Sequence, residues 1–183
     1  MIIDFHCHVL EHKHLDDDGT GLNNPLICEW TWSDRPAGKV PTMPYQGIAN
    51  FPRMGGEEVV KDMDENGVDK GVICSWNLKY LGNKAVIPHQ YIADVIEKYP
   101  GRFIGLAGID PDLHARCQDA CKELEYCVKH LGFSGLKLFP IYANYSPDDP
   151  RLFPLYEKCI ELGIFVQIHM GLVTLAGAPL KYG

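Results

Sequence analysis

Three histidines occupy positions from which their side chains could bind a metal. His6 and His8 end the opening apolar run of the chain, and His169 ends a later apolar run at 164–168. Alternate side chains of a strand point to one face, so His6 and His8 are expected to project together, with Cys7 turned the other way. Because neutral imidazoles that converge are typical Zn²⁺ ligands, the pattern indicates a metal centre. The alternative is a set of polar strand ends that are solvated or hydrogen-bonded.

Lys137 is a cation in the middle of the apolar segment Gly-Leu-Lys-Leu-Phe at 135–139. Charged side chains are almost never fully buried without a partner, so Lys137 should face a polar cavity or a bound group. The alternative is a stem that packs along the sheet while the ammonium reaches solvent. We predict a functional role for Lys137.

Most other residues of chemically active types are expected to have structural roles. Cys117 and Cys121 share one apolar helix stripe and should lie in the core. Trp76, at the end of the second predicted strand, is a candidate for the wall of a substrate pocket. The remaining histidines of interest are predicted at the surface, in a polar loop rich in aspartate or on helices and their caps: His12, His14, His89, His114 and His130.

Apolar runs alternate with amphipathic segments along the chain. Strands are predicted at 1–6, 71–74, 103–109, 135–139 and 164–169, and helices near 57–66, 87–98, 113–131 and 150–162. This alternation predicts a parallel sheet covered by helices, an α/β architecture. An open doubly wound sheet and a closed barrel both fit. The barrel is favoured because neither G-x-G-x-x-G after the first strand nor G-x-x-x-x-G-K-[ST] is present.

The segment 9–56 lacks helical or strand periodicity and is rich in Gly, Pro, Asn, Asp and aromatic residues. A stretch of this length without regular structure inside a compact domain is usually a lid or a binding loop. We therefore predict a long insertion after the first strand, over the mouth of the fold.

Composition limits the classes of partner and compartment. The 183 residues are 46% hydrophobic and carry a formal charge of −7, which suits one globular domain that binds a small molecule rather than nucleic acid or an anionic membrane. Seven cysteines without a compact framework favour a reducing cytoplasm. No leader-like segment and no apolar run of about 20 residues is present, so neither secretion nor a membrane span is predicted.

Three segments resemble the amidohydrolase superfamily, and within it the amidohydrolase-related branch that includes aromatic and semialdehyde acid decarboxylases. The opening MIIDFHCH at 1–8 looks like the first strand with its His-x-His, GLKLFP at 135–140 is similar to the fourth-strand segment, and 148–171 resembles the fourth helix and fifth strand. The resemblance implies the N-terminal part of a single (β/α)₈ TIM-type barrel, about five βα units, over residues 1–183.

The resemblance also implies roles for the site residues. His6, His8 and His169 would be metal ligands, with Zn²⁺ expected and Mn²⁺ as the alternative. Lys137 would be either carboxylated between two metals or a cation on the substrate side, and the pattern of this branch favours the second. The family's sixth-strand His and eighth-strand Asp have no counterpart before Gly183, so we expect a truncated piece or a partner that supplies the rest. Open strand edges then predict a homo-oligomer.

The function expected from these features is metal-assisted catalysis. A bound Zn²⁺-type ion lowers the pKa of water from about 15.7 towards about 7, which would allow attack on a small cyclic or aromatic carboxylate, amide or lactone. One alternative is a metal-dependent decarboxylase that cleaves a C–C bond. Another is a catalytically silent metal-binding fragment.

Overall fold

The computed structural model describes residues 1–9, 11, 55–77, 86–109, 111 and 117–170. Most of the predicted insertion, together with His12, His14 and His114, lies outside these residues. The lid and the division of the chain into one barrel with an insertion therefore stay predictions.

Seven strands and five α-helices are present in the described ranges. The strands are β1 (Ile3–Cys7), β2 (Lys70–Cys74), β3 (Trp76–Asn77), β4 (Val86–Ile87), β5 (Phe103–Gly108), β6 (Gly135–Leu138) and β7 (Phe165–Ile168). The helices are α1 (Gly56–Glu65), α2 (His89–Lys98), α3 (Cys117–Leu131), α4 (Pro140–Ala143) and α5 (Phe153–Leu162), and a 3₁₀ turn at Pro150–Leu152 precedes α5.

Five of the strands form one parallel sheet in the order β1-β2-β5-β6-β7. The sheet is curled, as the contacts between its two edge strands across the inner face show. Gln167 Nε2 of β7 donates a hydrogen bond of 2.5 Å to the backbone oxygen of Phe5 in β1, and the rings of Phe5 and Phe165 are 5.4 Å apart. This arrangement is a half-barrel, which confirms the predicted partial (β/α)₈ architecture.

Apolar side chains fill both faces of the sheet. On the helix side, Ile73, Ala107 and Leu136 pack with the helices into the larger core cluster. A smaller cluster on the inner face contains Val72, Cys74, Leu106 and Phe139. The buried face of α3 is centred on Ala120, Leu124 and Cys127, with Cys117 and Cys121 partly buried at its border. The predicted core location of these two thiols is therefore correct in kind.

The predicted helix at 87–98 begins two residues later than expected. Trp76 and Ile87 pair in a short antiparallel ladder between β3 and β4, and α2 starts at His89. Pro88 lies between the ladder and the helix and has no N–H to offer either one. The alternation of strands and helices is therefore interrupted by a two-stranded element at the carboxyl end of β2. Within the described residues no helix is long and apolar enough to cross a membrane.

Gly108, at the end of β5, packs directly against the backbone of Ser75, the residue that follows β2. A Cβ at Gly108 would lie 1.9 Å from the backbone oxygen of Ser75. We expect Gly108→Ala to lower the free energy of unfolding by about 3 kcal/mol, since overpacked backbone must move. Urea unfolding measures this, with Gly132→Ala as the matched control. Gly132 has a φ of +71°, but a Cβ there would meet no atom within 4 Å, so its cost should be about 1 kcal/mol. Equal losses would contradict the close approach.

Candidate metal centre

The first strand contains a bulge between Asp4 and Cys7, in the stretch that includes His6. Asp4 lies opposite Gly71, and Cys7 lies opposite Ile73, so three steps along β1 match two steps along β2. One extra residue in β1 accounts for the difference, which defines a β-bulge. The backbone N–H of His6 donates to Asp4 Oδ1 at 3.0 Å, so the bulge is held by a local hydrogen bond.

The bulge changes which side chains face the inside of the half-barrel. Strict alternation would put Phe5 and Cys7 on one face. Instead, Phe5 meets Phe165 on the inner face, whereas Cys7 packs against the core on the helix side. His6 and His8 are thereby directed inward together with Phe5. Cys7 lies on the opposite face from the two histidines, as expected. Phe5 can face inward with the histidines only because the bulge adds a residue between Phe5 and Cys7.

The three predicted histidines lie together at the carboxyl ends of β1 and β7. The ring centroids of His6 and His8 are 4.8 Å apart, and those of His6 and His169 are 6.4 Å apart, both in edge-on orientations. His169 is anchored by its backbone N–H, which donates to the Leu138 oxygen at 2.9 Å. Residues separated by about 160 positions in the chain therefore share one site.

Trp76 covers the far side of His8. The two rings stack with centroids 5.5 Å apart and an interplanar angle of 22°. Within the part of the chain that the structure describes, neither the buried Nδ1 of His8 nor the buried Nε1 of Trp76 has a hydrogen-bond partner. Buried polar atoms are rarely left unpaired, so these two are available to a bound group. That Trp76 lines a substrate pocket stays a prediction.

Lys137 is buried beside the histidines, with a relative exposure of 1%. Its Nζ lies 5.3 Å from the centre of the Phe139 ring, a cation–π distance. Among the described residues it has no ion-pair partner. Burial lowers the pKa of Lys137. The alternative of an ammonium that reaches solvent is therefore wrong in this structure.

Burial and the neighbouring cation keep the imidazoles neutral. Burial lowers the pKa of His8 to about 4, with further lowering from His6 and Lys137. The pKa values of His6 and His169 are also below the ordinary value of 6.5, through burial first and then through Lys137. At neutral pH, all three rings therefore keep a nitrogen lone pair that can bind a metal.

The lowered pKa of His8 predicts an acid-sensitive apoprotein. The pKa of His8 is about 4 in the folded protein, compared with the ordinary value of 6.5. Between these two pH values His8 is protonated in the unfolded chain but not in the folded one. The free energy of unfolding should therefore fall as the pH is lowered through this window. Urea unfolding of chelator-treated protein at several pH values measures the effect. The His8→Asn variant should lose this part of the slope, and parallel curves for the two proteins would contradict the prediction.

The donor set fits a divalent metal in type and charge. The three imidazoles are neutral, and the buried Nδ1 of His8 has no partner among the described residues, as such an ion requires of its ligands. Within the described residues, however, no three His, Cys, Asp or Glu side chains already converge on one point. His169 is the outlying member, because its ring is farther from His6 than the ring of His8 is.

One histidine differs from its sequence prediction. His89, predicted at the surface, is only partly exposed and is bonded on both ring nitrogens. Its Nδ1 lies 2.6 Å from Ser75 Oγ and its Nε2 lies 2.8 Å from Glu123 Oε1. A signal for this role exists in Ser75, a polar residue directly after the buried run of β2. His130, by contrast, is exposed on α3 as predicted.

The sequence comparison decides the family. The family model described as Amidohydrolase matches residues 3–182. The chain belongs to the Amidohydrolase family. A 2-keto-4-carboxy-3-hexenedioate hydratase of a Sphingobium species is 27% identical, over 93% of this chain and 52% of its own length. A 2-amino-3-carboxymuconate-6-semialdehyde decarboxylase of Dictyostelium discoideum is 37% identical, over 44% of this chain and 22% of its own.

This Amidohydrolase chain is also similar to part of several larger proteins of known structure. A 4-oxalomesaconate hydratase from Rhodopseudomonas palustris is 26% identical, with a TM-score of 0.55 over 93% of this chain and 52% of that one. A 5-carboxyvanillate decarboxylase from Novosphingobium aromaticivorans with bound manganese is 19% identical, with a TM-score of 0.64 over 92% and 50%. The second likeness shows the fold alone. The chain spans about half the length of the hydratases and of this decarboxylase.

Proposed function

We propose that this chain is the metal-binding half of an Amidohydrolase-family enzyme that acts on a small, planar carboxylic acid. The observation that carries the proposal is the placement of three neutral imidazoles beside a buried lysine with no ion-pair partner in the described residues. His6, His8 and His169 would hold one divalent cation. Lys137 would bind a carboxylate of the substrate.

Burial gives Lys137 a reason to bind an anion. An ammonium without a counter-ion in a low-dielectric site is unfavourable, and a substrate carboxylate would relieve that cost. The pairing would also restore a higher pKa to the lysine, since an opposite charge favours the charged form. Lys137 therefore selects for acids, and Trp76 Nε1, which has no partner among the described residues, would donate a second bond to another substrate oxygen.

The aromatic rings around the cation define the shape of the site. Phe139 lies under the Lys137 ammonium and 6.2 Å from the ring of His169, while Trp76 stacks on His8. Flat walls of this kind suit a planar ring or a conjugated acid. The decarboxylases and hydratases among the relatives are enzymes for carboxylated compounds by name, which supports the same substrate class.

Lyase chemistry is the form of the proposal that these relatives favour, either decarboxylation or addition of water to a double bond. When bound, a divalent cation supplies Lewis-acid polarisation and a water of lowered pKa. The residues of this chain keep the ligands neutral, orient the acid against Lys137 and exclude water from one side through Phe139 and Trp76. Hydrolysis of a lactone or amide is the second candidate, and the same water chemistry supports it.

Metal analysis and turnover test the proposal. The purified chain should bind about one equivalent of Mn²⁺ or Zn²⁺, and the metal-loaded enzyme that contains it should release CO₂ from aromatic acids or hydrate unsaturated polycarboxylates. Lactones and acyclic amides in the same panel test the hydrolase. Turnover of amides alone would contradict the lyase, and metal binding without any turnover would favour a binding module. Absence of metal binding would remove the centre.

Homo-oligomerisation and a cytoplasmic location stay predictions from the sequence. The edge strands do expose apolar side chains, with Ile3 at 40%, Phe5 at 52% and Phe165 at 37% relative exposure. Sedimentation of the purified chain over a range of concentrations tests the first of them, and a monomer at every concentration would contradict it.

A further inference from the structure

A chain of hydrogen bonds outside the metal centre runs from a helix to the buried end of β2. Glu123 Oε1 on α3 lies 2.8 Å from His89 Nε2, and His89 Nδ1 lies 2.6 Å from Ser75 Oγ. Ser75 is 1% exposed, and the side chains of His89 and Glu123 are 21% and 33% exposed. The order is carboxylate, imidazole, hydroxyl.

The other hydrogen bonds of Ser75 indicate which groups donate and which accept in this series of contacts. Ser75 Oγ accepts from the backbone N–H of Gly108 at 2.7 Å, and its own proton has a choice between His89 Nδ1 at 2.6 Å and the Leu106 oxygen at 3.4 Å. In the neutral imidazole, the shorter contact makes His89 Nδ1 the acceptor, with the ring proton on Nε2 directed to Glu123. Because Ser75 is sealed from solvent, its hydroxyl cannot reach a substrate and holds structure instead.

The contact between His89 and Ser75 joins the two segments that flank the β3–β4 ladder. Ser75 directly precedes Trp76, which pairs with Ile87, and His89 follows Ile87 by two residues. The hydrogen bond between Ser75 and His89 therefore fastens the base of this ladder. On its other side, Trp76 stacks on His8.

The hydrogen bonds of Ser75 also extend to β5, the strand beside the buried lysine. Gly108 donates its backbone N–H to Ser75 and lies opposite Lys137 in the pairing of β5 with β6. Ser75 thus joins the strand end that carries Trp76 to the strand that borders Lys137. A change at His89 would be felt in both parts of the site.

The geometry points to His89 as a positioning residue: through Ser75 it holds Trp76 against His8, and Glu123 orients its ring. The inference deepens the proposed function, on which its metal-binding consequence rests. Its structural core, the placement of Trp76, can be measured without any metal.

Two amide variants separate the bonds of His89. The amide of asparagine reaches about as far as imidazole Nδ1, and that of glutamine about as far as Nε2. His89→Asn should therefore keep the contact to Ser75, whereas His89→Gln should keep the contact to Glu123 and lose Ser75. His130→Gln, on the exposed face of α3, is the control.

Trp76 emission and Mn²⁺ affinity are the two measurements. The protein has three tryptophans, so Trp30→Phe with Trp32→Phe leaves Trp76 as the reporter. We expect His89→Gln to shift Trp76 emission to longer wavelength in the apoprotein and to weaken Mn²⁺ binding about tenfold, the size typical of residues that support metal ligands. His89→Asn should lie close to the unsubstituted protein, and His130→Gln should match it.

Two results would overturn the inference. One is unchanged Trp76 emission and Mn²⁺ affinity in His89→Gln, and the other is an equal loss in His89→Asn and His89→Gln. Should His89→Gln fail to fold by circular dichroism, Ser75→Ala removes the same bond from the other side and must give the same shift. If the unsubstituted protein binds no Mn²⁺, the proposed function fails, while Trp76 emission still decides the role of His89.

Discussion

His6→Ala is expected to weaken the binding of Mn²⁺ or Zn²⁺ by more than about a hundredfold, beyond the range seen when only supporting residues are removed. The ring of His6 lies near both other rings, with its centroid 4.8 Å from that of His8 and 6.4 Å from that of His169. Its loss leaves two rings without their common neighbour. Equilibrium dialysis with metal analysis measures the affinity, and any turnover should fall with it.

The control for this experiment is His130→Ala. His130 is exposed on α3, where its ring lies 5.1 Å from that of Tyr126, and α3 carries none of the three histidines of the site. It should keep full metal affinity. Although part of the His6 ring is removed from solvent, the residue as a whole is exposed, so His6→Ala should unfold at nearly the same urea concentration as the unsubstituted protein. An unchanged metal affinity in His6→Ala would refute the three-histidine centre.

Lys137→Met is expected to raise KM for a carboxylate substrate by about ten- to a hundredfold, the loss of one bond to a charged group. Methionine keeps most of the stem and removes the charge. Stability should stay the same or rise, since an apolar side chain replaces a buried cation without a partner in the described residues. A residue needed only for structure would give the opposite result, a lower urea midpoint with an unchanged KM.

The same substitution carries a second signature in the histidines. The charge of Lys137 lowers the pKa values of His6, His8 and His169, so its removal should raise all three. NMR titration of the apoprotein measures these values. Lys61→Met is the matched control, because Lys61 is exposed on α1 and pairs with Glu65. It should change neither KM nor the titration, and fixed histidine pKa values in Lys137→Met would contradict the proximity.

Local sequence patterns determined the fold class and the candidate ligands. Periodicity and strand-end positions are properties of short segments, so the parallel α/β order and the inward direction of His6 and His8 could be predicted from the chain alone. The setting of Lys137 is likewise visible in the sequence, because a cation inside an apolar strand stands out against its immediate neighbours. The Amidohydrolase match agrees with the resemblance carried by these same segments.

Tertiary structure decided the features that depend on strand register and long-range contact. The bulge between Asp4 and Cys7 exists only relative to β2, so no pattern within β1 could reveal it. The meeting of His6 with His169 depends on the curl of the sheet, which is set by twist summed over five strands. His89 has the sequence setting of a surface residue because its partners, Ser75 and Glu123, lie 14 and 34 positions away. The sequence identified the candidate ligands, whereas the contacts that hold these side chains in place depend on packing between distant segments.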